Sequence, residues 1–160
     1  MSTIRRILTA AVLAVAVSSE AQAQTEPTVM APELVISADR MPTPPDKVTG
    51  SVTVITNAEM QRRQLRTAAD VLRSVPGVSV QQAGGPGAQT SVFTRGSNAN
   101  HTLVLIDGVN VSDPSSSGGA VDFAHFLTEN LDRIEVVRGP MSTLYGSQAI
   151  GGVINMVTKA

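Results

Sequence analysis

Leu103, Val104, Leu105 and Ile106 form an unbroken apolar run that stops at Asp107-Gly108. Successive side chains of a strand point to opposite faces, so a run with no polar member reads as a strand covered on both sides. This strand is expected at the centre of the core. Asp-Gly suits the positive backbone angles of a two-residue hairpin turn, which makes residues 109–111 the return strand. Ile106→Asp is therefore expected to unfold the domain, because an unpaired buried charge costs several kcal/mol, roughly the whole stability of a domain.

The segments on either side are short. Residues 51–56 (SVTVIT) are rich in β-branched side chains and read as a strand. Asn57 is the expected N-cap of a helix over 58 to about 65, and Thr67 caps a second helix with Asp70 three residues on. Ala68, Val71, Leu72 and Val75 share one face of that helix, and Pro76-Gly77 stops it. Strands are expected over 78–81, 90–94, 132–137 and 151–158, loops over 84–87 and 112–119, and helical turns over 127–131 and 141–145. Strands and helices do not alternate regularly and nothing repeats. The fold class is α+β, a small mixed β-sheet with short helices.

The N-terminus has a different character. Arg5 and Arg6 precede an apolar stretch over 7–17, and Ala21-Gln22-Ala23 supplies a small-x-small site. This is the pattern of a secretory signal peptide over 1–23, cut after Ala23. The stretch is too short to span a bilayer, which takes about 20 residues. Residues 24–47 read as a flexible arm whose prolines (Pro42, Pro44, Pro45) keep it extended, with one β-prone patch at residues 33–37. The folded domain is expected over 48–160.

Composition excludes several roles. The chain of 160 residues has a formal net charge of −1, and loss of Arg5, Arg6 and Glu20 with the signal peptide makes it one unit more negative. No long block of like charge exists, which argues against nucleic acid as a partner. There is no cysteine, so neither disulfides nor thiolate chemistry is available. Phe93, Phe123, Phe126 and Tyr145 are the only aromatics. They cannot supply the two aromatic girdles of a membrane barrel, so no spanning barrel is expected in these residues.

No catalytic set stands out. Serine directly follows glycine at Gly96-Ser97 and Gly146-Ser147, unlike a nucleophile elbow. Gly84-Gly85-Pro86-Gly87 lacks the Lys-Ser/Thr of a phosphate loop. His101 and His125 lack zinc-ligand spacing, and Asp107, Asp113 and Asp122 do not follow a calcium-loop pattern. Neither a metal nor a cofactor is expected. What remains is a pair of strand ends, Phe93-Thr94-Arg95-Gly96 and Val136-Val137-Arg138-Gly139-Pro140, each closing on an arginine. An interfacial arginine needs a carboxylate, and two in like contexts point to acids on a surrounding partner.

These motifs have a family likeness. The succession 67–72 (TAADVL), 75–78 (VPGV), 93–96 (FTRG), 104–109 (VLIDGV), 134–140 (IEVVRGP) and 144–155 (LYGSQAIGGVIN) resembles the plug domain of TonB-dependent outer-membrane receptors. The run from Arg95 to His101, followed by the Leu103 strand, is most similar to the vitamin B12 (cobalamin) receptors. The resemblance implies a plug that blocks a large β-barrel in the cell outer membrane, binds ligand on apical loops, and is moved when TonB pulls the arm. Glu33, Leu34, Val35, Ile36, Ser37 and Ala38 look like the TonB box, which adds as a strand to a partner sheet. By motif position, the implied ligand contacts are Gln89, Thr90, Ser91, Ser116 and Ser117, on apical loops 82–91 and 112–119. Arg95 and Arg138 match arginines that dock against barrel acids. Ala83 and Ala88 stand where cobalamin receptors have amides, and the second loop is longer, so the ligand is either a corrinoid or an iron-siderophore. The family's barrel has about 22 strands and none follows Ala160, so a fragment, a truncated product or a free-standing plug is expected. A stand-alone periplasmic ligand-binding or interaction module is the alternative.

Overall fold

The computed structural model describes residues 50–159, apart from the side chain of Ser117. The expected signal peptide, arm and TonB box lie outside the described residues. Among the described residues there are seven strands: β1 (Ser51–Thr56), β2 (Val78–Gln82), β3 (Thr90–Thr94), β4 (Thr102–Ile106), β5 (Val109–Asn110), β6 (Leu131–Arg138) and β7 (Gly152–Thr158). Three short helices accompany them: α1 (Asn57–Arg62), α2 (Ala68–Arg73) and α3 (Ser142–Tyr145). Five strands form one sheet in the order β1-β6-β7-β4-β5, while β2 and β3 form a separate hairpin. β6 runs antiparallel to β1 and β7, and β4 runs parallel to β7. The α+β class and the mixed sheet are as expected.

The centre is not where the apolar run suggested. β7 is the middle strand, and β4 lies between it and the two-residue β5. Ile106, at the end of β4, is only half-buried. Complete burial falls instead on Ile134, Val136, Ile154, Val71, Leu72 and Met60, all of one cluster. That cluster joins one face of the sheet to α1, α2, Val92 of β3, and Phe123. The other face carries Leu103, Leu105, Val137, Val153 and Ala149, with Val52, Val54, Met141 and Tyr145 half-buried beside them. Each fully buried aliphatic side chain stabilises the fold by about 1.5–3 kcal/mol.

The local signals meet a mixture of confirmation and correction. Thr67 caps α2, its hydroxyl accepting from Asp70 N at 3.1 Å while donating to the Asp70 carboxylate at 2.7 Å. Thr56, not Asn57, caps α1; the Asn57 amide instead donates to Leu131 O at 2.8 Å and ties the helix start to β6. α1 ends at Arg62 because Gln64 adopts φ 54° and Leu65 N reaches back to Met60 O at 3.0 Å, a left-handed closure that stops the helix early. The helical turn expected over 127–131 is reduced to one hydrogen-bonded turn, Leu131 N donating to Thr128 O at 3.1 Å, because Leu127 bridges to Thr67 and Thr128 N donates to Arg66 O at 3.1 Å. The α1–α2 link offers those backbone groups extended partners, which outweigh local helix propensity. No described helix is long and apolar enough to cross a membrane.

The Asp107-Gly108 turn forms with both residues at positive φ, 50° and 81°. The Asp107 carboxylate also accepts from Thr158 N at 2.8 Å and Thr158 Oγ1 at 2.7 Å, fastening the end of β7. Those hydrogen bonds hold its pKa below the ordinary 3.8. A depressed folded-state pKa contributes stability above the ordinary value that is lost as pH falls through the folded one. Asp107→Asn should therefore lower the melting temperature at neutral pH, with the gap from wild type closing once pH drops below 3.8. A gap that stays constant from pH 7 to 3 would show that the carboxylate charge contributes nothing. Separately, Ile154→Ala should cost about 2–5 kcal/mol in urea unfolding and Ile106→Ala clearly less. The reverse order would contradict the burial described.

Candidate functional site

Two regions carry the residues that the motifs singled out. The first is the pair of loops. In the β2–β3 loop, Ala83 N donates to Gln89 O at 2.9 Å and Ala88 N to Gly85 O at 3.0 Å, which leaves the Gln89 side chain exposed. Ser91 is half-buried. Thr90 is a correction: it is 2% exposed and its hydroxyl donates to Ala88 O at 2.9 Å, so it shapes the loop and presents nothing outward. In the second loop, the half-buried Ser116 hydroxyl donates to Ala120 O at 2.7 Å, which likewise commits it to the loop's own shape. The side chain of Ser117 lies outside the described ones.

This second loop rests on amides that the sequence did not flag. Gly118 and Gly119 both adopt φ 76°, and a side chain on Gly118 would meet the Asn100 amide. Gln148 lies next to Gly119 and accepts from the Asn110 amide at 3.1 Å. Asn100 and Gln148 are 48 positions apart, so only the folded chain brings them under one loop. Asp122, considered in the sequence only as a failed calcium ligand, accepts from Thr90 N at 2.8 Å and Ala124 N at 3.0 Å.

The second region is a seam of two arginines. Arg95 occupies φ 49° in a turn closed by Ser97 N donating to Thr94 O at 2.9 Å, and its own N–H donates to Gly77 O at 2.8 Å. Its guanidinium lies beside Gly139 and is exposed. Arg138 lies against Gly77 and donates to Pro76 O at 2.5 Å and Thr53 Oγ1 at 2.8 Å. Most of its guanidinium is thus spent inside the domain, whereas the sequence reading aimed it wholly outward. Its Nε is buried without a partner. Among the described residues no carboxylate pairs with either arginine. Two cations are therefore gathered about the same Pro76-Gly77 and Gly139 backbone.

The support under this seam is built to close tolerance. Thr94 is fully buried, and its hydroxyl bonds that of Thr102 at 2.8 Å. Ser97 Oγ donates to Thr94 O at 2.7 Å. Any Cβ on Gly151 would collide with the Ser97 and Thr94 hydroxyls, and one on Gly152 would collide with Val137 O. The glycine pair of the last motif is thus a packing requirement.

These features define a small α+β domain, a five-stranded sheet with a separate β2–β3 hairpin, that carries two glycine-rich loops and a cationic seam. Residues 44–153 match the family model of the TonB-dependent receptor plug domain, and the chain belongs to that family. Three solved structures illustrate the similarity. The ferric enterobactin receptor of Pseudomonas aeruginosa, in complex with enterobactin, is 30% identical over 68% of this chain and 17% of its own, with TM-score 0.55. A siderophore receptor of Acinetobacter baumannii is 30% identical over 68% and 17%, TM-score 0.54. The ferripyoverdine receptor of the Pseudomonas aeruginosa outer membrane is 25% identical over 79% and 16%, TM-score 0.66. The chain spans about one sixth of the length of these receptors.

A bulky residue in the left-handed region costs about 1–2 kcal/mol. Arg95→Gly should remove that strain and raise the stability of the domain by about 1 kcal/mol in chemical unfolding, set against the greater freedom of glycine in the unfolded chain. A loss of stability would mean that the guanidinium packing on Gly139 outweighs the strain.

Proposed function

We propose that this chain is the gate and ligand-binding domain of a TonB-dependent outer-membrane transporter for an iron-siderophore. The observation that carries the gate reading is the arginine seam: two guanidiniums on a rigid support, without a carboxylate among the described residues. Such a seam is stable when a surrounding wall supplies acids, and a β-barrel enclosing the plug is such a wall. Residues 1–23 act as the export signal and residues 24–47 as the arm, with the box at Glu33–Ala38 adding as a strand to TonB. Arg95 docks to the barrel through its whole guanidinium and Arg138 through the terminal N–H groups not taken by Pro76 O and Thr53 Oγ1. Gln89 and Ser91 are the ligand-facing side chains of the first loop, and the second loop, 112–119, faces the same ligand.

The siderophore assignment draws on the receptors at 30% identity, whose descriptions concern enterobactin or siderophores. The likeness to cobalamin receptors rested on the run from Arg95 to His101. Its first part forms the turn 94–97 that supports the seam, and Ala99–His101 form a short 3-10 helix. In cells carrying the complete receptor, ferric enterobactin should be taken up, and Leu34→Pro should reduce uptake to the level of cells without receptor. Uptake of cyanocobalamin in its place would reverse the ligand assignment. Undiminished uptake by Leu34→Pro would remove the TonB-box role, and high-affinity binding of ferric enterobactin to isolated residues 24–160 would favour the soluble module.

A further inference from the structure

We infer that Asp122 is the positioning residue that holds the two ligand loops as one unit, an inference that rests on the ligand role proposed for them. The loops have little stiffness of their own, being mostly glycine, serine and alanine over 83–88 and 112–120. Their mutual placement must come from where they are fastened. One Asp122 carboxylate oxygen accepts from Thr90 N at 2.8 Å and from Ala124 N at 3.0 Å. In return, Phe123 N donates to Thr90 O at 2.9 Å. Both backbone groups of Thr90 are thus committed to the segment that leaves the second loop, and Thr90 itself is 2% exposed, so water cannot replace the lost bonds.

The fastening is short on both sides. Ser116 Oγ holds Ala120 O at 2.7 Å, and from Ala120 to Asp122 the chain covers at most about 7 Å. On the first loop, Thr90 lies directly between Gln89 and Ser91, so its position sets theirs. Phe123 is 2% exposed in the main core, packed edge-on to Phe126 at 5.8 Å, which anchors the joint to the rigid part of the domain. A carboxylate accepting two backbone N–H groups makes a stronger fastening than a neutral acceptor. A ligand that touches both loops therefore meets a surface whose two halves keep a constant separation.

The test uses the full-length receptor in detergent, with nitroxide labels on Ala83→Cys and Ser115→Cys, both exposed positions in a stretch without native cysteine. Wild type should give one narrow distance distribution. Asp122→Ala should broaden it at least twofold, and Asp122→Asn, which keeps an acceptor oxygen, should restore most of the sharpness. Ferric enterobactin, the probe ligand, should bind the alanine variant at least tenfold more weakly and the asparagine variant within threefold of wild type. An unchanged distribution in Asp122→Ala overturns the inference, whatever the probe does. Broadening with unchanged affinity overturns the positioning role and leaves a purely structural one. Broadening in a receptor whose wild type does not bind the probe upholds the joint and removes the ligand assignment.

Discussion

The close approach at Gly151-Gly152 is the contact on which the rest of the structure depends. β7 begins there, pressed against the carbonyl of Val137 on one side and the hydroxyls of Thr94 and Ser97 on the other, with no room for a Cβ at either position. Because β7 pairs with β6 on one side and β4 on the other, its starting point sets the register of both. The same step aligns Arg138 opposite Gly152 and brings Gly139 N to Gly151 O at 3.0 Å. The arginine seam is thus a by-product of how the central strand starts. A side chain at either glycine would disturb sheet and seam together.

A second constraint comes from charge in the sheet. Glu135 is fully buried on β6, with Arg133 Nε at 2.9 Å and the Asn155 amide at 3.5 Å, and Asn155 in turn accepts from Gly108 N at 3.2 Å. A slip of β6 by one residue would carry Glu135, together with Arg133 of the same strand, to the opposite, apolar face and away from Asn155. A buried carboxylate that loses a hydrogen-bond partner in such a place is costly. The network therefore discriminates against wrong registers, and it ties the β4–β5 turn into the same discrimination.

The two candidate regions differ in build, and the difference matches the roles proposed for them. The seam is backed by buried hydroxyls and glycine contacts and includes a strained backbone at Arg95. It suits an interface that must hold. The loops have mostly small, exposed side chains and are fastened to each other at Thr90 with Asp122. That suits a surface that must take up a ligand and later release it.

Much of the local structure could be read directly. The cap at Thr67, the stripe of Ala68, Val71, Leu72 and Val75, the Asp107-Gly108 turn and the β-branched strands all follow from neighbours a few residues apart, and each forms as expected. The family likeness was legible for the same reason, since its motifs are short and contiguous. The early end of α1 at Gln64, the bridge at Leu127 and the cap shift to Thr56 were not, because partners elsewhere decided them. The strand order was also hidden: an apolar run announces burial, but not which of two buried strands stands in the middle. The inward turn of Arg138 needed Pro76, 62 residues away, and the joint at Thr90 needed Asp122, 32 residues away. By itself, the sequence determined the elements, their turns and the family, because these depend on short-range backbone preference and pattern. Only the tertiary structure decided the centre of the sheet, the direction of Arg138 and the fastening of the loops, because those arise from packing between segments that meet after the chain has folded.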